Sequence, residues 1–150
     1  MITTELIKQL RDKTAVSVMQ CKKALEEAGG DMEKATIILL KRSAEVAVKK
    51  EGRELGAGAV QSYIHNTGMI GAMVILSSET DFVSQNEEFK ALARDIAMHV
   101  TASDPENLST LLEQPFIKNP EVTIQNLIDQ AIQKFGEKIV LAQFVRYSVK

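Results

Sequence analysis

The chain has 150 residues, 45% apolar and 25% charged, with few aromatics and no Trp, so its composition is globular and its core aliphatic, enough for one domain or for one small domain plus a tiny one. Eighteen basic against 20 acidic residues leave a net charge of -2, which argues against a nucleic-acid binder. One cysteine, Cys21, excludes an intrachain disulfide and reads as cytosolic, while no apolar run nears the ~20 residues that span a bilayer and no signal-peptide pattern opens the chain.

Residues 3–13 read as a helix with Leu6, Ile7 and Leu10 on one face and Thr3 or Thr4 as its cap. Ser17 can cap a second helix carrying Val18, Cys21, Leu25 and Ala28, and Gly29-Gly30 stops it. Asp31 can cap a third, through Ala35, Ile38, Leu39 and Arg42. Ser43 to Leu55 is rich in Ala, Lys and Glu with weak periodicity, and reads as a partly helical linker.

From Ala59 the period becomes two. Val60, Ser62 and Ile64 point one way; Gln61, Tyr63 and His65 the other. Asn66-Thr67-Gly68 makes a hairpin loop, and Met69 to Ser77 returns as a nearly all-apolar strand, expected to be central and covered on both faces. Glu79-Thr80-Asp81-Phe82-Val83 follows. Ser84 and Glu87 suggest a capping box for a helix bearing Phe89, Leu92, Ala93, Ile96, Ala97 and Val100, which ends at Asp104-Pro105. Leu108 to Pro120 looks irregular. Thr123 opens a last helix that Gly136 closes, and Lys138 to Val149 is a strand. The fold class is therefore α+β: a three-helix bundle (1–45), a linker (46–56), and a β-β-α-α-β core (57–150) whose three-stranded antiparallel sheet packs on helices.

Chemistry is sparse. Cys21 lies on an apolar stripe, where a buried small hydrophobe is the simple reading. His65 and His99 stand apart, with no metal-ligand or triad spacing, and Gly56-Ala57-Gly58 lacks the Lys of a phosphate loop. No cofactor and no metal is expected, and a binding protein is favoured over an enzyme. Phe82 and Val83 are either core anchors or presented to a partner. With Ser84 as cap, Val83 has only Glu88 to staple onto, which counts against the first. Val18 and Met19 are adjacent, so at least one turns outward. Lys22, Lys23, Lys49 and Lys50 read as solvated charge.

On four stretches the chain resembles the bacterial elongation factor Ts family: Leu6 to Ala35, Lys49-Lys50, Glu79 to Phe89 with Thr80-Asp81-Phe82-Val83, and Phe135 to Tyr147. The resemblance implies that residues 1–45 are similar to ubiquitin-associated three-helix domains. It implies a guanine-nucleotide exchange factor that binds elongation factor Tu, both GDP-bound and nucleotide-free, in the cytoplasm, without acting as an enzyme. Thr80, Asp81, Phe82 and Val83 would enter the GTPase near its Mg²⁺. Leu10, Val18, Met19 and Lys22 would contact it from the helical module. Where the family usually has Thr-Gly-Ala-Gly-Met-Met, this chain has Thr14-Ala15-Val16-Ser17-Val18-Met19. The chain is also short, with one core unit where many members have two, which implies pairing with a second copy as a homodimer. No membrane and no direct nucleic-acid partner is expected. Two rivals stand beside this: a dimeric adaptor without exchange activity, and a thiol enzyme using Cys21. Neither needs Thr80 to Val83.

Overall fold

The computed structural model describes residues 2–14 and 16–150, so Ala15 of the departing loop lies outside the described residues. Thr3 starts helix α1 (Thr4–Thr14), its hydroxyl accepting from the Leu6 amide at 3.2 Å. Ser17 caps α2 (Val18–Glu27) through the Gln20 amide, and Asp31 caps α3 (Met32–Lys49) through those of Glu33 and Lys34. Leu10, Val16, Cys21, Ala24, Leu25, Ala35 and Leu39 form a small apolar core between the three helices.

The expected linker begins inside α3, which runs on to Lys49. The reason is tertiary packing. Leu40, Val46 and Ala47 pack on the core that follows, and buried Ser43 donates its hydroxyl to the Gln133 side chain. Weak local periodicity understated this helix because its far half faces a different neighbour from its near half.

Strand β1 (Ala57–Ile64) pairs antiparallel with β2 (Ile70–Ser78), and β2 pairs antiparallel with β5 (Val140–Ser148), giving the order β1-β2-β5. The connection β1–β2 turns at Gly68, whose φ is 76°. After β2 come α4 (Asp81–Ser84), α5 (Glu87–Ser103), α6 (Leu108–Glu113), the small hairpin β3 (Pro115–Phe116) with β4 (Asn119–Thr123), and α7 (Ile124–Phe135). The core order is thus longer than β-β-α-α-β. Leu108 to Pro120 is not irregular: Asn107 caps α6, and buried His99 anchors the hairpin. The His99 Nδ1 accepts from the Ile117 amide at 3.2 Å, and its Nε2 lies 2.9 Å from the Gln114 side-chain oxygen.

The sheet has one covered face, not two. Ala72, Val74 and Leu76 are buried under α5 with Phe89, Ile96 and Val100. On the other face Val60, Ile64, Met73, Val145 and Tyr147 are exposed. The registers Ser62–Met73, Met73–Val145 and Gly71–Tyr147 place them side by side. An all-apolar strand is expected to be covered twice, but among the described residues nothing covers the second face.

The expected capping box is also replaced. Ser84 is buried inside α4, and the residue that caps α5 is Asn86, which accepts from the Glu88 amide at 2.8 Å. At the other end Asp104 takes a left-handed conformation, φ 47°, and closes α5. Thr123 and Asn126 form a reciprocal capping box on α7. Among the described residues no helix is long and apolar enough to cross a membrane.

Two phenylalanines seven positions apart occupy opposite environments: Phe89 is fully buried, edge-on to Phe135, whereas Phe82 is almost wholly exposed. Truncating Phe89 to Ala is expected to cost about 3–5 kcal/mol. The same change at Phe82 stays within about 0.5 kcal/mol. Urea unfolding of the two variants measures both.

Candidate partner-contact site

Strand β2 ends at Ser78, and Thr80 is still extended, at φ −129° and ψ 158°. Helix α4 begins at the next residue. Its turns are closed by the Ser84 amide on the Thr80 carbonyl (3.2 Å) and the Gln85 amide on that of Asp81 (2.9 Å). This sharp change sends neighbouring side chains apart. Val83 is 8% exposed and joins the main core, while Phe82 is 94% exposed beside exposed Asp81. Val83 is therefore a core anchor and Phe82 is not.

The backbone just before Phe82 is held from outside its own segment. Gly136, at φ 74°, closes α7 and turns the chain into Glu137. One carboxylate oxygen of Glu137 accepts from the amides of Glu79 (3.2 Å) and Thr80 (3.0 Å), and the other from the Thr80 hydroxyl at 2.6 Å. The Glu79 carboxylate answers by accepting from the Lys138 amide and pairing with Arg53 at 3.4 Å. Arg53 also donates to the Gly136 carbonyl, and the Lys138 ammonium donates to the Glu51 carbonyl at 2.7 Å. Residues after α3, the end of β2 and the start of β5 thus meet at one junction. Sequence reading missed Glu137, Glu79 and Arg53. For Glu137 the only signal is an acid directly after a helix-closing Gly, which is too common to single out, and Glu79 and Arg53 carry none.

The helical module places its expected contacts unevenly. Val18 is 50% exposed and Met19 68%, and Lys22 is exposed with them on the first turns of α2. Leu10 is fully buried between the helices. It supports that surface from beneath and offers nothing to a partner, because its place on the apolar stripe of α1 turns it inward. The module is joined to the core through α7: Gln133 donates to the Gln20 side chain while accepting from Ser43, and Lys13 pairs with Glu121 on β4.

Cys21 is buried, with its sulfur 3.5 Å from the Val16 carbonyl, and His65 is exposed, within hydrogen-bond reach of the Tyr63 hydroxyl. Burial pushes the Cys21 thiol above its ordinary pKa, against smaller opposing effects from Thr14 and Arg11. Among the described residues no group of three or more His, Cys, Asp or Glu is arranged to hold a metal ion.

Residues 79–150, which begin at this junction, match the family model described as Elongation factor TS. The chain is 38% identical to elongation factor Ts of Acetivibrio thermocellus, with 98% of this chain and 89% of that protein covered. It is 38% identical to the elongation factor Ts proteins of Carboxydothermus hydrogenoformans and Thermodesulfovibrio yellowstonii, covering 99% of this chain and 89% and 96% of theirs. The chain belongs to the elongation factor Ts family. The alignment with the first relative runs over 192 positions against the 150 residues here, so that relative carries residues with no counterpart in this chain.

With its thiol buried and its pKa raised, Cys21 is expected to react slowly with iodoacetamide in the native protein. Its rate rises only toward alkaline pH, and rises sharply when urea exposes it. Mass-spectrometric counting of alkylated protein over time distinguishes this from the fast neutral-pH labelling of an activated nucleophile.

Proposed function

We propose that the chain is a guanine-nucleotide exchange factor for elongation factor Tu, promoting release of GDP and Mg²⁺ by inserting the Thr80–Val83 turn. The observation that carries this is Phe82, held in water beside Asp81 on a turn whose next residue, Val83, is anchored in the core. A large apolar side chain presented from a pinned backbone suits entry into another protein. Nothing in this role makes or breaks a covalent bond. The factor shifts the GTPase population toward its nucleotide-free state, and by linkage GDP weakens factor binding by the same ratio. On this reading the protein acts in the cytoplasm.

Burying Phe82 contributes about 1.5–3 kcal/mol, or one to two decades in affinity. That alone does not offset a tightly held Mg–nucleotide, so the GTPase must be gripped elsewhere. The N-terminal residues 1–45 supply the grip, with Val18, Met19 and Lys22 as contacts and Leu10 holding the helices that carry them. Stopped-flow release of a fluorescent GDP analogue from elongation factor Tu tests this. The parent accelerates release; Phe82→Ala keeps some affinity and loses at least about tenfold in rate; deletion of residues 1–45 abolishes binding. Equal rates for parent and Phe82→Ala would sink the wedge. Binding with no acceleration by the parent would leave a dimeric adaptor.

The homodimer belongs to the same reading. Val60, Ile64, Met73, Val145 and Tyr147 give a contiguous exposed apolar face on a sheet already packed on its other side. Pairing this face with its copy around a two-fold axis supplies the missing cover. Met73→Glu places two carboxylates in that interface and is expected to convert the dimer to monomer, read by light scattering of the eluted protein. A parent already monomeric at high micromolar concentration refutes the pairing.

A further inference from the structure

We propose that Glu137 is a positioning residue for the presented turn: its carboxylate fixes the Thr80 backbone so that Phe82 is held outward before any partner arrives. This rests on the exchange reading above but adds a residue which that reading does not include.

Two observations carry it. The first is the density of donors on one carboxylate: the amides of Glu79 and Thr80 on one oxygen and the Thr80 hydroxyl on the other, between 2.6 and 3.2 Å. Hydrogen bonds to an ionised acceptor are the strong ones, and three of them converge on the two residues that precede Asp81. The second is what Thr80 does not do. It stands at the N-cap of α4, where a Thr hydroxyl ordinarily accepts from the helix's own amides, yet it makes no capping bond. Its hydroxyl donates to Glu137 instead. Four-residue α4 therefore takes its orientation from the α7–β5 turn rather than from its own cap. Orienting a contact residue in advance removes an ordering cost from the step in which it enters the already bound partner.

The role predicts a rate effect transmitted only through Phe82. In stopped-flow release of a fluorescent GDP analogue from elongation factor Tu, Glu137→Ala is expected to lower the saturating rate about tenfold, the scale of a lost charge-assisted bond, with the half-saturating concentration unchanged. Glu137→Gln retains most of the rate, because its side-chain oxygen still accepts the two amides and its NH₂ group faces the Thr80 hydroxyl. In a Phe82→Ala background, Glu137→Ala has no further effect. Hydrogen–deuterium exchange over residues 79–85 of the free protein, read in parallel, is faster in Glu137→Ala than in the parent and near the parent's in Glu137→Gln. An unchanged rate in Glu137→Ala, effects that multiply in the double variant, or unchanged hydrogen exchange overturns the proposal. A parent that fails to accelerate release refutes the exchange reading instead, and hydrogen exchange then decides alone whether Glu137 fixes the turn.

Discussion

Keeping a phenylalanine in water while its neighbour is buried requires a backbone that cannot relax. Here that constraint is met at the junction where Glu137 holds the end of β2 and Glu79 holds the start of β5. Without it, a four-residue helix has no stability of its own, since nucleating a turn fixes several dihedrals for one hydrogen bond. The reciprocal bonds supply from outside what α4 lacks within. Gly136 makes this geometry available, because its left-handed conformation turns the chain directly from α7 into Glu137.

The same helix end serves a second purpose. Three residues before Gly136, Gln133 joins α7 to Gln20 on α2 and to Ser43 on α3. The end of α7 therefore touches the helical module through Gln133, and the residue just past it, Glu137, holds the turn bearing Phe82. Two exposed apolar sets, Val18 with Met19 and Phe82 alone, are carried by elements packed on one common support. A wedge worth one or two decades of affinity needs such a support on the proposed reading, because the grip of the module is useful only if it carries the wedge to a fixed place.

Local chemistry made much of this legible in the sequence. Ser17, Asp31 and Thr123 cap helices because their side chains accept from amides two or three residues on. Gly136 ends one by its free φ, and the β1 alternation puts Val60 and Ile64 on a single face. Tertiary choices were not legible. Ser43 and Val46 sit in a composition that looks like linker, and only α7 makes them helix. Ser84 has the chemistry of a cap, but Asn86 is the residue that uses it, because α4 inserts one further turn. Leu10 follows the same logic from the other side: a face that periodicity marks as apolar is the face turned inward, so a contact expected there becomes a support. Glu137 acts across more than fifty residues, a separation on which no short pattern can report.

The two exposed apolar surfaces differ in kind, and the difference bears on the two associations proposed above. Phe82 is isolated, flanked by an acid and by polar residues, so it cannot by itself hold a stable interface. The open sheet face is contiguous and apolar, which suits association between copies on the proposed reading. They also lie on opposite sides of the sheet: Val83 fastens the turn to the core on the helix-covered side, whereas Val60, Met73 and Val145 line the other. Pairing through the sheet therefore leaves the turn uncovered in both copies. On the proposed reading each copy of such a dimer presents its own Phe82, because the residues that would pair the copies are not those of the turn.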